Sequence, residues 1–435
     1  MRTGLRKTSE WWTIVVPIST LYTGPLLLLL MLRIKFKSSS FIVLSIFFGA
    51  FMILSAYSTS FNISLFSEIS AQSDLQIIKY RDLIIDLGDD VKTNAQLSYP
   101  AIGNGPFPAV LLIHGSGALD MNETLTKNSK PFWEISQYLS ERGFAVLKYD
   151  KRGVGNESYT ILNSNVWGNN TVDDQIQDGK KALNILAQQP EVDPKRISII
   201  GHSEGTLYAP RVAIDNPTDV DNIILMGVLA QNPLKVEYFQ DVSLSLEYAK
   251  QVLDKNNSGL ISIQDVIVDP LYKNLLLPIT VSQTNDTNAM TNYLVEQFGN
   301  SGYIDINKQV EPFLIKGYEN NTAFNLLKCD TVGICPILWN SLANMTTNLS
   351  TIGNVSESIG ILILNGENDA QTPVQQAFLL HQRLNEVNHP DHALITYPDL
   401  GHALYLSTKW QTAFGPMEPD VLADLYSWLE SHSKE

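Results

Sequence analysis

The sequence predicts an α/β protein: a mostly parallel sheet flanked by helices, interrupted by a largely helical cap and preceded by two transmembrane helices. Three observations predict it. Short apolar runs such as residues 109–113 alternate with amphipathic helical stretches on both sides of a gap. The alternation stops between residues 231 and 357, which are Asn-rich and mostly helical in pattern. The first sixty residues hold two apolar stretches without charge.

The elements follow in order. After a polar linker near residues 70–74, residues 76–87 and 91–99 read as strands joined by the turn Gly88-Asp89-Asp90. Pro106-Phe107-Pro108 introduces residues 109–113, a continuous apolar run of the kind a strand buried on both faces needs. Residues 131–142 read as a helix with Phe132, Ile135 and Leu139 on one face, and 144–149 as a strand. Residues 173–189 form a second helix, burying Ile176, Ala182, Leu183 and Leu186, with Asp173-Asp174 capping its start. Strand 196–200, helix 204–214 and strand 222–229 come next; after the gap, strand 360–364, helix 373–384, strand 393–397 and helix 418–431 resume the pattern. The core is therefore residues 76–230 and 358–435, and residues 231–357 are an inserted cap over the carboxyl ends of the strands, where open α/β sheets place their sites. Asp150-Lys151-Arg152-Gly153 follows a strand and reads as a structural loop pinned by an Arg–carboxylate pair.

Residues 1–68 read as a membrane anchor. The stretches 11–32 and 41–61 each approach the ~20 residues that cross a bilayer as a helix, and Trp11 and Trp12 suit the interfacial belt. The basic turn Arg33-Ile34-Lys35-Phe36-Lys37 places itself on the cytoplasmic side and the body outside the cell; Arg2, Arg6 and Lys7 pull the other way. About ten N-x-S/T sequons, among them those at Asn122, Asn156, Asn256 and Asn348, favour the extracytoplasmic body. Cys329 and Cys335, the two cysteines of the chain, are either a disulfide across a short loop or two free thiols. The chain carries a net charge of −15, all of it and more on the body beyond residue 70. An acidic body repels nucleic acid, which is excluded as a partner.

Chemistry gathers at Gly201-His202-Ser203-Glu204-Gly205, between a strand and a helix. A turn this sharp needs small residues at Gly201 and Gly205, and it lifts the Ser203 hydroxyl above the sheet near the positive end of the next helix. A serine hydroxyl needs a base; His402, in Leu400-Gly401-His402-Ala403 after a strand, is the candidate. The base needs an acid to fix its tautomer; Asp369, after strand 360–364, gives the order Ser…Asp…His, with Glu367 as its neighbour and rival. His114 and His202 flank the glycine turns as packing or hydrogen-bonding residues. An oxyanion hole needs two N–H donors: the backbones of Glu204, which follows the nucleophile, and of Ser116 in the turn His114-Gly115-Ser116-Gly117.

These segments, with Asp120-Met121-Asn122-Glu123-Thr124 and Tyr149-Asp150-Lys151-Arg152-Gly153-Val154-Gly155, resemble the α/β-hydrolase group related to dienelactone hydrolases, acyl esterases and serine aminopeptidases. The resemblance covers roughly residues 76–230 and 358–433 and implies the α/β-hydrolase fold, Ser203, Asp369 and His402 as triad, and Ser116 and Glu204 as oxyanion donors. The N-terminal spans and the Asn-rich insertion depart from the group's pattern.

Within the cap, Asp254-Lys255-Asn256-Asn257-Ser258-Gly259-Leu260-Ile261-Ser262-Ile263-Gln264-Asp265 has the spacing of an EF-hand Ca²⁺ loop, with oxygen side chains at positions 1, 3, 5, 9 and 12 and Gly at 6. It resembles the loops of dockerin modules, which likewise end in Asp. Asp254, Asn256, Ser258, Leu260 through its carbonyl, Ser262 and Asp265 are the candidate ligands of a structural Ca²⁺; a solvated helix–turn is the alternative. No cofactor is expected for catalysis. The function expected is hydrolysis of a small carboxylic ester at the membrane, on its extracytoplasmic face. The alternatives are trimming of short peptides with the same residues, or a binding protein with a vestigial site.

Overall fold

The computed structural model describes residues 13–14, 34–35 and 77–433, apart from 331–332 and 412–413. Most of both apolar N-terminal stretches lies outside the described residues; Thr13–Ile14 and Ile34–Lys35 are extended and pair antiparallel, not helical. Among the described residues no helix is long and apolar enough to cross a membrane.

The body from residue 77 onward is built on an eight-stranded sheet. Its strands are β1 (Ile78–Gly88), β2 (Val91–Pro100), β3 (Phe107–Ile113), β4 (Ala145–Tyr149), β5 (Val192–His202), β6 (Asn222–Met226), β7 (Gly360–Gly366) and β8 (His392–Tyr397). Their spatial order is β1-β2-β4-β3-β5-β6-β7-β8. The hairpin β1–β2 is antiparallel, β2 meets β4 antiparallel, and every pairing from β4 to β8 is parallel. Gly88, Asp89 and Asp90 all have positive φ (80°, 50° and 61°), which turns the predicted hairpin in three residues.

The period of two along the central strands divides the interior into two cores. Ala109, Leu111 and Ile113 join Ile197, Ile199, Ile223, Leu225, Ile361 and Ile363 on one face of the sheet. Val110, Leu112, Ile200, Ile224, Met226, Leu362 and Leu364 point to the other. Helices Val172–Ala187, Gly205–Asp215 and Gln375–Glu386 cover the first face, and Pro131–Ser140 and Pro419–His432 the second. Because both faces are covered, the strands can be apolar at every position, as residues 109–113 are. Thr171 and Asp174 close a reciprocal capping box at the start of Val172–Ala187. Arg152 grips Asp178 of that helix through two bonds of 2.7 and 2.6 Å and meets Asp174 at 3.0 Å, so the loop after β4 is pinned by an Arg–carboxylate pair, as its sequence implies.

Between β6 and β7 the chain leaves the sheet. A helical segment runs from Pro233 to Leu253, alternating between α and π hydrogen bonding. Together with the chain up to Leu314 it encloses a separate apolar cluster, including Val242, Ile261, Val266, Leu294, Ile304 and Val310. Two short strands absent from the sequence expectation, Leu260–Ser262 and Tyr303–Asp305, pair antiparallel inside it. Leu338, Leu342, Ile352 and Val355 instead pack into the main core. Cys329 and Cys335 form a disulfide. The sequon residue Asn348 is fully buried, and its amide donates to the carbonyls of Thr206 and Leu229, so it holds no glycan in the folded chain.

His114, just past β3, is a packing residue. It lies between the rings of Phe132 and Tyr149 (centroids 5.1 and 5.2 Å away), and its Nε2–H donates to the Asp120 carbonyl at 3.0 Å. Burial pushes its pKa from 6.5 down to about 4. The unfolded chain therefore binds this proton first. The stability His114 contributes is complete above pH 6.5 and is lost as pH falls towards 4. Denaturant melts across that window are expected to show a decline, up to ~3 kcal/mol of it from His114; His114→Gln should remove that share, and parallel curves for the two proteins would contradict it.

Candidate active site

The site lies at the carboxyl edge of β5, where the strand must turn into helix Gly205–Asp215 within two residues. A Cβ on Gly205 would stand 2.2 Å from the Ile113 carbonyl oxygen, and one on Gly201 would stand 2.4 Å from the Gly205 oxygen. Both positions exclude a side chain, as the sequence reading required. Ser203, at the apex, is held at φ 52°, a left-handed conformation that a non-glycine residue keeps only when its surroundings enforce it. Its own N–H donates to the Met226 carbonyl at 2.8 Å, anchoring the turn to the end of β6. Ser203 is 9% exposed.

Asp369 and His402 come from the loops after β7 and β8. His402 Nδ1 lies 2.9 Å from Asp369 Oδ2, and both side chains are buried. The carboxylate is fixed by three further donors: the N–H groups of Gln371 and Thr372 at 2.8 Å to Oδ1, and the Thr372 hydroxyl at 2.7 Å to Oδ2. With Nδ1–H directed at Asp369, His402 presents Nε2 as the free, basic nitrogen. Ser203 and His402 stand on adjoining turns. Gly227, next to the residue that anchors Ser203, comes so close to the imidazole that a Cβ there would lie 3.0 Å from His402 Cε1. Glu367, the rival acid, instead accepts the Thr396 hydroxyl at 2.9 Å and is not joined to the imidazole.

The turn His114-Gly115-Ser116-Gly117 passes against Ser203, since a Cβ on Gly115 would meet Ser203 Cβ at 3.1 Å. Gly115 N–H is already committed to Glu123 Oε1 at 2.6 Å. The next N–H along the turn belongs to Ser116, and Glu204 begins the helix on the other side of the serine. The Glu204 carboxylate is buried and takes the Tyr208 hydroxyl at 2.8 Å, with the Lys151 ammonium 3.5 Å away. Lys151 also donates to the Gly115 carbonyl.

Sequence reasoning missed Glu123 as a site element. Fully buried, it accepts Gly115 N–H on one oxygen and His202 Nδ1–H at 3.0 Å on the other. His202 Nε2 in turn lies 3.3 Å from the His402 carbonyl oxygen. Both ring nitrogens of His202 thus face acceptors, which only the imidazolium satisfies. The Glu123 charge and hydrogen bond raise the His202 pKa against the burial that opposes them, and His202 in turn holds Glu123 below the usual carboxylate range. Thr372 was likewise missed; only tertiary proximity connects it to His402.

A cavity of about 700 Å³ lies between the cap and the core. Leu234, Tyr238, Phe239 and Tyr318 of the cap line it, facing Asp369 and Val374 of the core; Ser203 and His402 are outside its lining. The loop of residues 254–265 takes no part in this constellation, and among the described residues no three His, Cys, Asp or Glu side chains gather as a metal centre.

Two family models match the chain: one described as serine aminopeptidase, S33, over residues 107–270, the other as prolyl oligopeptidase family, over residues 337–435. Esterase EstD of Thermotoga maritima is 34% identical over 163 residues, covering 35% of this chain and 36% of its own length. Esterase FrsA of Yersinia pestis is 27% identical over 154 residues, covering 35% of this chain and 33% of its own. The chain thus spans about a third of the length of these curated relatives. Among solved structures, a thermostable carboxyl esterase from Bacillus coagulans aligns over 82% of this chain and 99% of its own, with 16% identity and a TM-score of 0.48. With the matched segments carrying the Ser203 turn in one model and the Asp369 and His402 loops in the other, the chain belongs to the α/β-hydrolase superfamily.

Proposed function

We propose that this chain is a serine hydrolase that cleaves carboxylic esters through an acyl-enzyme intermediate, with Ser203, His402 and Asp369 as its triad. The observation that carries the reading is Ser203 held at φ 52° on a strand–helix turn beside a buried Asp369–His402 pair. Ser203 Oγ attacks the ester carbonyl while His402 Nε2 takes its proton; Asp369 stabilises the imidazolium that forms. The N–H groups of Ser116 and Glu204 receive the negative charge that develops on the carbonyl oxygen. Collapse of the tetrahedral species breaks the ester C–O bond, and the departing alkoxide takes the proton from His402. Water then repeats the sequence on the acyl-enzyme, releasing the acid and restoring Ser203.

The same reading anchors the protein through its apolar N-terminal stretches, with the catalytic body on the extracytoplasmic face. The Cys329–Cys335 disulfide supports this, because such bonds persist in oxidising compartments. A peptidase reading uses the same atoms on an amide and is favoured by the descriptions of the two family models; the names of the two relatives favour the ester.

Ser203→Ala is expected to abolish labelling by a fluorophosphonate and to lower kcat by roughly 10⁴-fold or more; an unlabelled wild type would sink the catalytic reading. Turnover of p-nitrophenyl esters and not of aminoacyl-nitroanilides is expected, and the reverse result would select the peptidase.

Glu123 serves in this reading as a positioning residue, tying the oxyanion turn to the loop of the base through His202. Glu123→Gln keeps the shape and removes the charge that raises the His202 pKa. It should lower kcat about 10²-fold, the cost of a misplacement near 1 Å, with KM little changed. A kcat equal to that of wild type in a folded variant would remove Glu123 from the machinery.

A further inference from the structure

The helical cap contains a pair of helix–loop–helix units related by a local pseudo-twofold axis, although only one of them is visible in the sequence. The first is the loop 254–265, entered by the helical segment that ends at Leu253 and left by helix Ile263–Val268. The second lies between helix Thr287–Phe298 and the helical segment that begins at Ile306. Their short strands pair with Ile261 opposite Ile304. The backbone bonds across the pair are reciprocal: Ile263 N–H donates to the Gly302 carbonyl at 3.1 Å, and Ile306 N–H to the Gly259 carbonyl at 2.9 Å. Gly259 and Gly302, at matching positions, share φ +77°. Ser258 and Ser301 match too: each hydroxyl accepts from the N–H two residues on and donates to the same residue's carbonyl. Ser262 and Asp305 match as caps of the exiting helices.

This pairing makes the second loop an internal control on the first. Counted from the shared glycine at position 6, the second loop has Gln297, Gly299 and Lys308 at positions 1, 3 and 12, where the first has Asp254, Asn256 and Asp265. From the shared glycine onward the two loops adopt the same turn, so that half does not require an oxygen ligand at position 12. The entering halves differ, with positive φ at Asn257 in the first loop and at Gly299 in the second, and only the first carries oxygen side chains at both positions 1 and 3. The first loop combines Asp254, Asn256 and Asp265 with Ser258, the Leu260 carbonyl and Ser262 as an all-oxygen donor set with the spacing that Ca²⁺ loops use. Asn257 and Gly259 both have positive φ (50° and 77°), curling the segment back on itself, and Asp254 accepts the N–H groups of Ser258 and Gly259 at 2.9 and 2.7 Å. In the second loop the Lys308 ammonium stands 3.4 Å from Asp305, a cation built into the position where a carboxylate would face the metal.

We propose that the loop of residues 254–265 binds one Ca²⁺ through Asp254, Asn256, Ser258, the Leu260 carbonyl, Ser262 and Asp265, and that the paired loop of residues 297–308 binds none. Six oxygens with only two carboxylates suit a flexible Ca²⁺ site of modest affinity, with Kd on the order of 10⁻⁴–10⁻³ M, better than the stricter octahedron of Mg²⁺. On binding, Asp265 exchanges the exposed Lys255 ammonium, now 3.0 Å away, for the metal. Leu244 and Glu247, on the helical segment that enters the loop, also line the 700 Å³ cavity, so the ion would brace the cavity's wall. This site stands whether or not Ser203 is a nucleophile.

The test is calorimetric titration of CaCl₂ into the full chain, produced without glycosylation because Asn256 begins a sequon and stripped of metal with chelator, alongside thermal melts. One ion per chain is expected, with a melting temperature that rises with CaCl₂ and much less with MgCl₂ at equal concentration. Asp265→Lys, which copies Lys308 of the paired loop, and the milder Asp265→Asn should each weaken binding at least tenfold. Asp305→Asn, which keeps a capping side chain, should bind as wild type does. Absence of binding to the wild type, undiminished binding to both Asp265 variants, loss of binding in a folded Asp305→Asn, or equal response to Mg²⁺ would overturn the proposal.

Discussion

The close approach of Gly205 to the end of β3 is the constraint on which the rest of the site depends. With no side chain at Gly205 the helix after the elbow starts directly against the Ile113 and His114 carbonyls, and with none at Gly201 the strand before it passes under the Gly205 carbonyl. The elbow is squeezed between two backbones, so Ser203 has no room to relax from its left-handed conformation. The same contact sets the distance between β3 and β5 at their carboxyl ends, and thereby brings the Gly115 turn alongside Ser203. A sheet buried on both faces makes this possible. Its apolar strands are locked in register by two cores, and the strain at one edge is borne by contacts throughout the interior.

Above the elbow, the loops after β3, β7 and β8 are joined by buried charges. Glu123 holds the Gly115 N–H and His202; His202 holds the His402 carbonyl; Asp369 holds the His402 ring. Glu123 and Asp369 each accept a donor on both carboxylate oxygens, which makes burial of the charge tolerable. Removing one member would strand its partner, so the chain of contacts behaves as a unit.

The fold was legible because its signals are local. The runs in β3, β6 and β7 are short, continuous and apolar, and the helices between them have one apolar face. Ser203, Asp369 and His402 were legible because each follows a strand, in the order the topology requires. Glu123 was not: it is one acidic residue in a polar loop, and only the fold brings it under His202, 79 residues away in the chain. Thr372 and Asn348 are hidden for the same reason, since their partners His402, Thr206 and Leu229 are distant in sequence. The second loop of the cap escaped notice because Gln297, Gly299 and Lys308 stand at positions 1, 3 and 12, where the first loop has the oxygen side chains by which such loops are read.

Lys151 shows how a residue classed as structural bears on the chemistry. Its ammonium, almost wholly buried, donates to the Gly115 carbonyl on one side of Ser203 and faces the Glu204 carboxylate on the other. Ser116 follows Gly115 directly, and Glu204 follows Ser203, so this one cation ties together the two backbone segments whose N–H groups form the proposed oxyanion hole. A buried ion pair is weak support for stability, because desolvation offsets much of the attraction. Its contribution here is geometric. The backbone donors have no side-chain substitute, and their separation is set by what holds their neighbours: Lys151 between the turns, Glu123 behind one, and Tyr208 behind the other. The loop after β4, pinned to its helix by Arg152, is therefore part of the scaffold that sets the separation of the two N–H groups proposed to receive the developing charge.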